Sequence, residues 1–163
     1  MYPWLHSIGE WLEQTSLSKY MEDSPHLFPA VIAAHFFSLF LLVGTSVVLD
    51  LRVLGLAMRR QPVTQLAQQL FPWTWAGLGL AVASGFFMFT PSAGELVVVA
   101  YFWIKLGIIL AAGVLAFLMQ RNARHWDQSP SIPTVAKLLA AISMALWIGA
   151  LLAAVQVAQY ANV

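Results

Sequence analysis

Apolar residues fill four long stretches of this chain, and polar ones collect in the short intervals between them. Each stretch approaches the ~20 residues that an α-helix needs to cross a bilayer. The first opens at Pro29, a residue suited to the first helical position, and runs AVIAAHFFSLFLLVGTSVVLDL to about residue 51. The second spans about 73–90 and stops at a tight turn holding Thr90, Pro91, Ser92, Gly94 and Glu95. The third covers about 96–119, before Gln120, Arg121, Asn122 and Arg124, and the fourth about 135–159, after Pro130 and Pro133. Pro62 and the polar run Thr64 to Gln69 predict a short loop or interfacial helix between the first two spans. The pattern predicts an all-α fold, a single integral-membrane four-helix bundle over residues 28–160.

Residues 1–27 read differently. Trp4, Leu5, Ile8, Trp11 and Leu12 fall on one helical face, which predicts an amphipathic interfacial helix with its indoles at headgroup depth, capping the bundle. Glu10, Glu13, Glu22 and Asp23, with no early basic stretch before an apolar run, do not read as a cleaved signal peptide.

Composition narrows the setting. The 163 residues are 60% hydrophobic and 9% charged, with a net charge of +1 that offers no basic patch for nucleic acid. Six of the eight basic residues (Arg52, Arg59, Arg60, Arg121, Arg124 and Lys137) fall at the two intervals joining spans one to two and three to four, while Lys19 lies on the other side. The positive-inside rule then puts those loops in the cytoplasm and both termini in the periplasm, as expected of a multi-pass bacterial inner (plasma) membrane protein. With no cysteine the chain carries no disulfide, iron–sulfur cluster, Cys-based zinc site or covalently attached c-type haem. It also shows no nucleophile elbow, HExxH or paired intramembrane carboxylates, so catalysis by the chain alone is not expected. Gly77, Ala81 and Gly85 in the second span, and Ala141, Ala145, Gly149 and Ala153 in the fourth, form small-residue stripes suited to close helix packing within the subunit or between copies.

Polar groups inside apolar spans are costly, and their presence is therefore informative. Away from the ends these are His35, Ser38, Thr45, Ser46, Ser84, Lys105 and Ser143, with Gln156 near the end of the fourth span. At 1.5 Å per residue His35 lies ~9 Å below Pro29 and Lys105 ~13 Å below the start of its span, so both belong to the outer half. Ser84, Met88 and Gln156 reach the same level, and together the five predict one polar pocket. A lysine at mid-membrane costs about 2.5 to 3.5 kcal/mol. No Asp or Glu lies at that depth to offset it, which points to a non-protein anion. Asp50 and Arg52 are expected at the inner surface as a clamp, with Asp50 paired to Arg121 or Arg124.

The strings HFFSLFLLVGTSVVLDLRVLGL, FPWTWAGLGLAVASGFFMF and FWIKLGIILAAG resemble an uncharacterised family of small four-span bacterial inner-membrane proteins. That family is distantly similar to CopD-type copper-resistance membrane proteins and to HemJ, a haem-containing protoporphyrinogen oxidase. The resemblance implies a haem-associated histidine at His35 and, at Lys105, the lysine beside a third-span histidine. Trp103 stands where that second histidine would be, so bis-histidine ligation is not expected. Met88, Met119 and Met144 are too scattered to form a copper path, and too few polar groups line a route for an ion channel or transporter.

The reading that follows is a b-type haem in the outer half, for electron transfer or redox sensing. His35 is its iron ligand, Lys105 faces a propionate, Met88 is the other candidate ligand at that depth, with a histidine of a second subunit or an open position as equal alternatives, and Ser84 and the aromatic Phe36, Trp103 and Trp147 lie around it. The alternatives are ordinary interhelical hydrogen bonds for His35 and Lys105, and a non-catalytic accessory or assembly subunit of a membrane redox complex or homo-oligomer.

Overall fold

A computed structural model describes residues 3–129 and 131–160. Its elements are α1 (Pro3–Glu13), α2 (Ser16–Asp23), α3 (Leu27–Leu54), α4 (Val63–Phe89), a 3₁₀ turn (Thr90–Ser92), α5 (Ala93–Leu96), α6 (Ala100–Asp127) and α7 (Thr134–Tyr160). Among the described residues, four helices are long and apolar enough to cross a membrane. The protein is a multi-pass membrane protein with an all-α bundle.

The helix boundaries refine the expected spans. Leu27 donates its N–H to the Ser24 hydroxyl, so α3 starts two residues before Pro29, and the proline sits inside the first turn where its missing N–H costs nothing. The helix ends at Gly55, whose φ of 75° closes it through N–H bonds to the carbonyls of Arg52 and Leu51. Thr64 to Gln69 is not a separate loop or interfacial helix, because α4 is continuous from Val63 and carries Pro72 within it. Asp127 at the end of α6 is the cause. Its carboxylate accepts the N–H groups of Val63 at 2.9 Å and Thr64 at 2.7 Å, capping α4 across the bundle. The third span starts at Ala100, after α5, and the expected break at Pro130 lies outside the described residues.

Helices α3 and α4 form the closest pair, α6 packs on α7, α3 on α7, and the α4–α6 seam is the loosest. The ring order is therefore α4, α3, α7, α6, with α3 and α6 diagonal. At the α3–α4 contact a Cβ on Gly77 would lie 2.8 Å from the Leu42 amide nitrogen, so only glycine permits this approach. Positions 35, 42 and 45 of α3 meet 84, 77 and 74 of α4, equal steps in opposite directions that define one antiparallel register. The α7 stripe behaves differently from expectation. Ala153 is buried but Ala141 and Ala145 face outward, and the buried line is Ala136, Ala140, Ser143, Trp147, Ala150 and Val157.

The core is one-sided. Leu49, Val53, Val63, Leu66, Met119 and Trp126 pack at the end that carries the basic residues, with Leu42, Ala112 and Trp147 at mid-height. In α6 no residue before Ala112 is buried. At this opposite, acidic end, α1 docks on α5. A Cβ on Gly9 would meet Gly94 Cα at 2.6 Å, and Glu13 accepts the Gly94 N–H at 2.7 Å. Trp4, Ile8 and Trp11 remain exposed on its other face.

Gly77→Ala is expected to cost about 1–3 kcal/mol through overpacking. Gly79→Ala meets nothing within 4 Å and is expected to be neutral or slightly stabilising. Thermal unfolding of the two variants in detergent checks the pair, and equal stability would contradict the α3–α4 contact.

Candidate functional site

The acidic half brings together His35 of α3 and Ser84 of α4, with His35 Nδ1 2.9 Å from Ser84 Oγ. The direction of this bond follows from the serine's other partner. Ser84 is one turn beyond Leu80 and lies 2.6 Å from its carbonyl oxygen. A carbonyl only accepts, so the single hydroxyl proton points there, and toward the ring Ser84 is an acceptor. His35 is thereby the Nδ1–H tautomer. Nε2 keeps its lone pair, and no group among the described residues occupies it. Gly85 makes room for the ring, since a Cβ there would lie 3.3 Å from His35 Cε1.

Lys105 enters from the diagonal helix α6, close enough for its charge to act on the imidazole. It lies five residues into α6, ~8 Å along the helix. The side chain is half-buried, and no carboxylate or hydrogen-bond acceptor among the described residues holds its ammonium. Met88 is half-buried one turn beyond Ser84, on the same face of α4. Other expected members lie elsewhere. Gln156 is exposed on α7. Trp103 is 48% exposed, with its indole N–H donated to the Val97 carbonyl at 2.9 Å, and Phe36 is 58% exposed. At this end Phe89 and Phe102 stack across the α4–α6 seam with centroids 5.1 Å apart.

Sequence reasoning misplaced Asp50 as well. Asp50 is 2% exposed rather than at the surface, and neither Arg121 nor Arg124 pairs with it. Its polar neighbour is Ser143 of α7, and Oδ2 has no hydrogen-bond partner. Trp147 Nε1, one turn along α7, is likewise unpartnered. The expected clamp is made instead by Asp127 on the start of α4 and by Arg52 Nε, which donates to the Gln61 carbonyl at 2.6 Å. The signal for Asp50 was its place four residues after Ser46 on the face that carries Leu42 and Leu49.

No group of three or more metal-binding His, Cys, Asp or Glu occurs among the described residues. The donor set is one imidazole nitrogen beside an unpaired cation.

Ser84→Ala removes the acceptor that fixes the ring. In ¹⁵N-histidine spectra the wild-type His35 is expected to be protonated at Nδ1 and bare at Nε2, and the variant to show a mixture of tautomers. A wild-type ring protonated at Nε2 would contradict the assignment.

The model of a family of unknown function, DUF6644, matches residues 9–158. No curated protein and no solved structure matches the chain. These comparisons show no likeness to CopD-type or HemJ-type proteins.

Proposed function

The chain belongs to this family of unknown function, and we propose that it binds one b-type haem in the acidic half of its bundle, for electron transfer or redox sensing. The observation that carries this reading is the imidazole whose Nδ1–H is committed to Ser84 while Nε2 is left bare. A ligand histidine is typically held this way, its second nitrogen donating to a neighbour that sets ring orientation and basicity. Haem supplies a one-electron iron couple when bound. Within the chain, His35 would offer the iron a nitrogen, and Ser84 orients the ring. Lys105 offers a positive charge that a propionate matches, which accounts for an ammonium without a protein counter-ion. Met88 is the further ligand candidate on the α4 face. Phe36 and Trp103 take no part in walling the site, because both face outward.

The same reading places the protein in a bacterial inner membrane with both termini periplasmic, from the charge of the end that holds Arg59, Arg60, Arg121 and Arg124. A second reading, an accessory subunit of a membrane redox complex or a homo-oligomer, is supported by Ala141 and Ala145, small residues that face outward and leave room for a partner helix.

Protein purified from haem-replete cells is expected to show a Soret band that sharpens and shifts on dithionite reduction. His35→Ala should abolish the band with helicity unchanged, and Lys105→Gln should keep it while lowering haem affinity about tenfold, the order of a lost charge pair in a partly buried site. A colourless preparation, or a band unaffected by His35→Ala, would end the haem reading. Orientation is tested separately, since the chain has no cysteine. A single Cys at Ser16 is expected to react with an impermeant thiol reagent in intact spheroplasts, and one at Ser131 only after lysis. The reverse pattern would overturn the orientation.

A further inference from the structure

At the basic end the loose α4–α6 seam opens into a groove of about 450 Å³. The seam is closed below it by Trp75, whose ring lies edge-on to Phe117 with centroids 6.2 Å apart and whose indole N–H donates to Gln120 Oε1 at 3.1 Å. We propose that this groove binds the headgroup of an anionic phospholipid, with the acyl chains lying over the exposed rings of Phe71 and Phe117.

The chemistry of the lining is that of an anion site. Arg121 and Arg124 are exposed on one face of α6, three residues apart, and neither has an ion pair among the described residues. Gln120 has spent its carbonyl oxygen on Trp75, which leaves its NH₂ group as the free donor. The acid nearest in sequence, Asp127, makes no ion pair with the arginines among the described residues; its oxygens accept the Val63 and Thr64 N–H groups. Donors without acceptors therefore face the groove, in a geometry that suits phosphate oxygens.

The vertical order selects the source of that phosphate. The arginines lie at the end of the apolar section, and Phe117 lies deeper in the same helix, with Phe71 opposite on α4. These two rings are 43% and 45% exposed. A cationic rim above an apolar wall matches a phosphodiester above hydrocarbon, the arrangement of basic pockets between helices that hold acidic lipids. An inorganic anion would use the rim and leave the rings idle, and an acidic peptide would leave them facing lipid.

The test compares delipidated protein in neutral detergent with added phosphatidylglycerol, phosphatidylcholine or inorganic phosphate, read by native mass spectrometry and thermal unfolding. Phosphatidylglycerol should be retained and should raise the unfolding temperature. Retention should fall about tenfold in R121Q/R124Q, be restored in R121K/R124K, and be unchanged in R60Q/K137Q, which removes the same charge at exposed positions outside the groove lining. Equal effects of phosphatidylcholine, equal effects of inorganic phosphate, or equal losses in R121Q/R124Q and R60Q/K137Q would each overturn the proposal. None of these outcomes bears on haem.

Discussion

The close approach of α3 and α4 at Gly77 is the constraint on which the rest of the bundle depends. Lipid is as apolar as the side chains, so helices do not associate in it by hiding hydrocarbon from water. They associate where backbones come near and polar groups find partners. Gly77 lets the two backbones touch, and the register so fixed brings Ser84 to His35 at one level and Thr74 to Thr45, at 2.9 Å, at another. The Ser84 hydroxyl also donates to a carbonyl of its own helix, so its proton is spent and the direction of its bond with His35 is set, whereas between Thr45 and Thr74 either hydroxyl can donate. The tautomer of His35 is thus a consequence of helix packing.

The two ends of the bundle are built for different purposes. The basic end holds the tight core and the Asp127 cap that ties α6 to α4. The acidic end is open between its helices and is covered by α1 on α5 through the Gly9–Gly94 contact. The bare imidazole nitrogen and the unpaired ammonium lie in this half. The buried Asp50 carboxyl, by contrast, sits at the edge of the well-packed half, with Ser143 as its neighbour.

The number of spans and the acidic-half polar pair were legible because both follow from one-dimensional rules: length of apolar run, and the cost of polar groups in lipid. Ser84 was legible for the same reason. The start of α4 was not, because its cap comes from Asp127, which lies on another helix in a segment that reads as a polar tail. Asp50 was misplaced because depth counted from Pro29 assumes a span normal to flat membrane surfaces, whereas α3 runs to Leu54 and the neighbouring helices rise as far around it. The orientations of Trp103 and Phe36 were out of reach, since an aromatic residue in an apolar span fits lipid and pocket equally well.

The central claim is that His35 offers its free nitrogen to iron. Pulsed EPR of the oxidised protein, prepared with ¹⁵N-labelled histidine, measures this directly through the hyperfine coupling of ferric iron to a ligand nitrogen. The account predicts one strongly coupled imidazole nitrogen that disappears in His35→Ala. An iron signal whose nitrogen coupling survives that substitution, or the absence of any iron signal in protein from haem-replete cells, would contradict it.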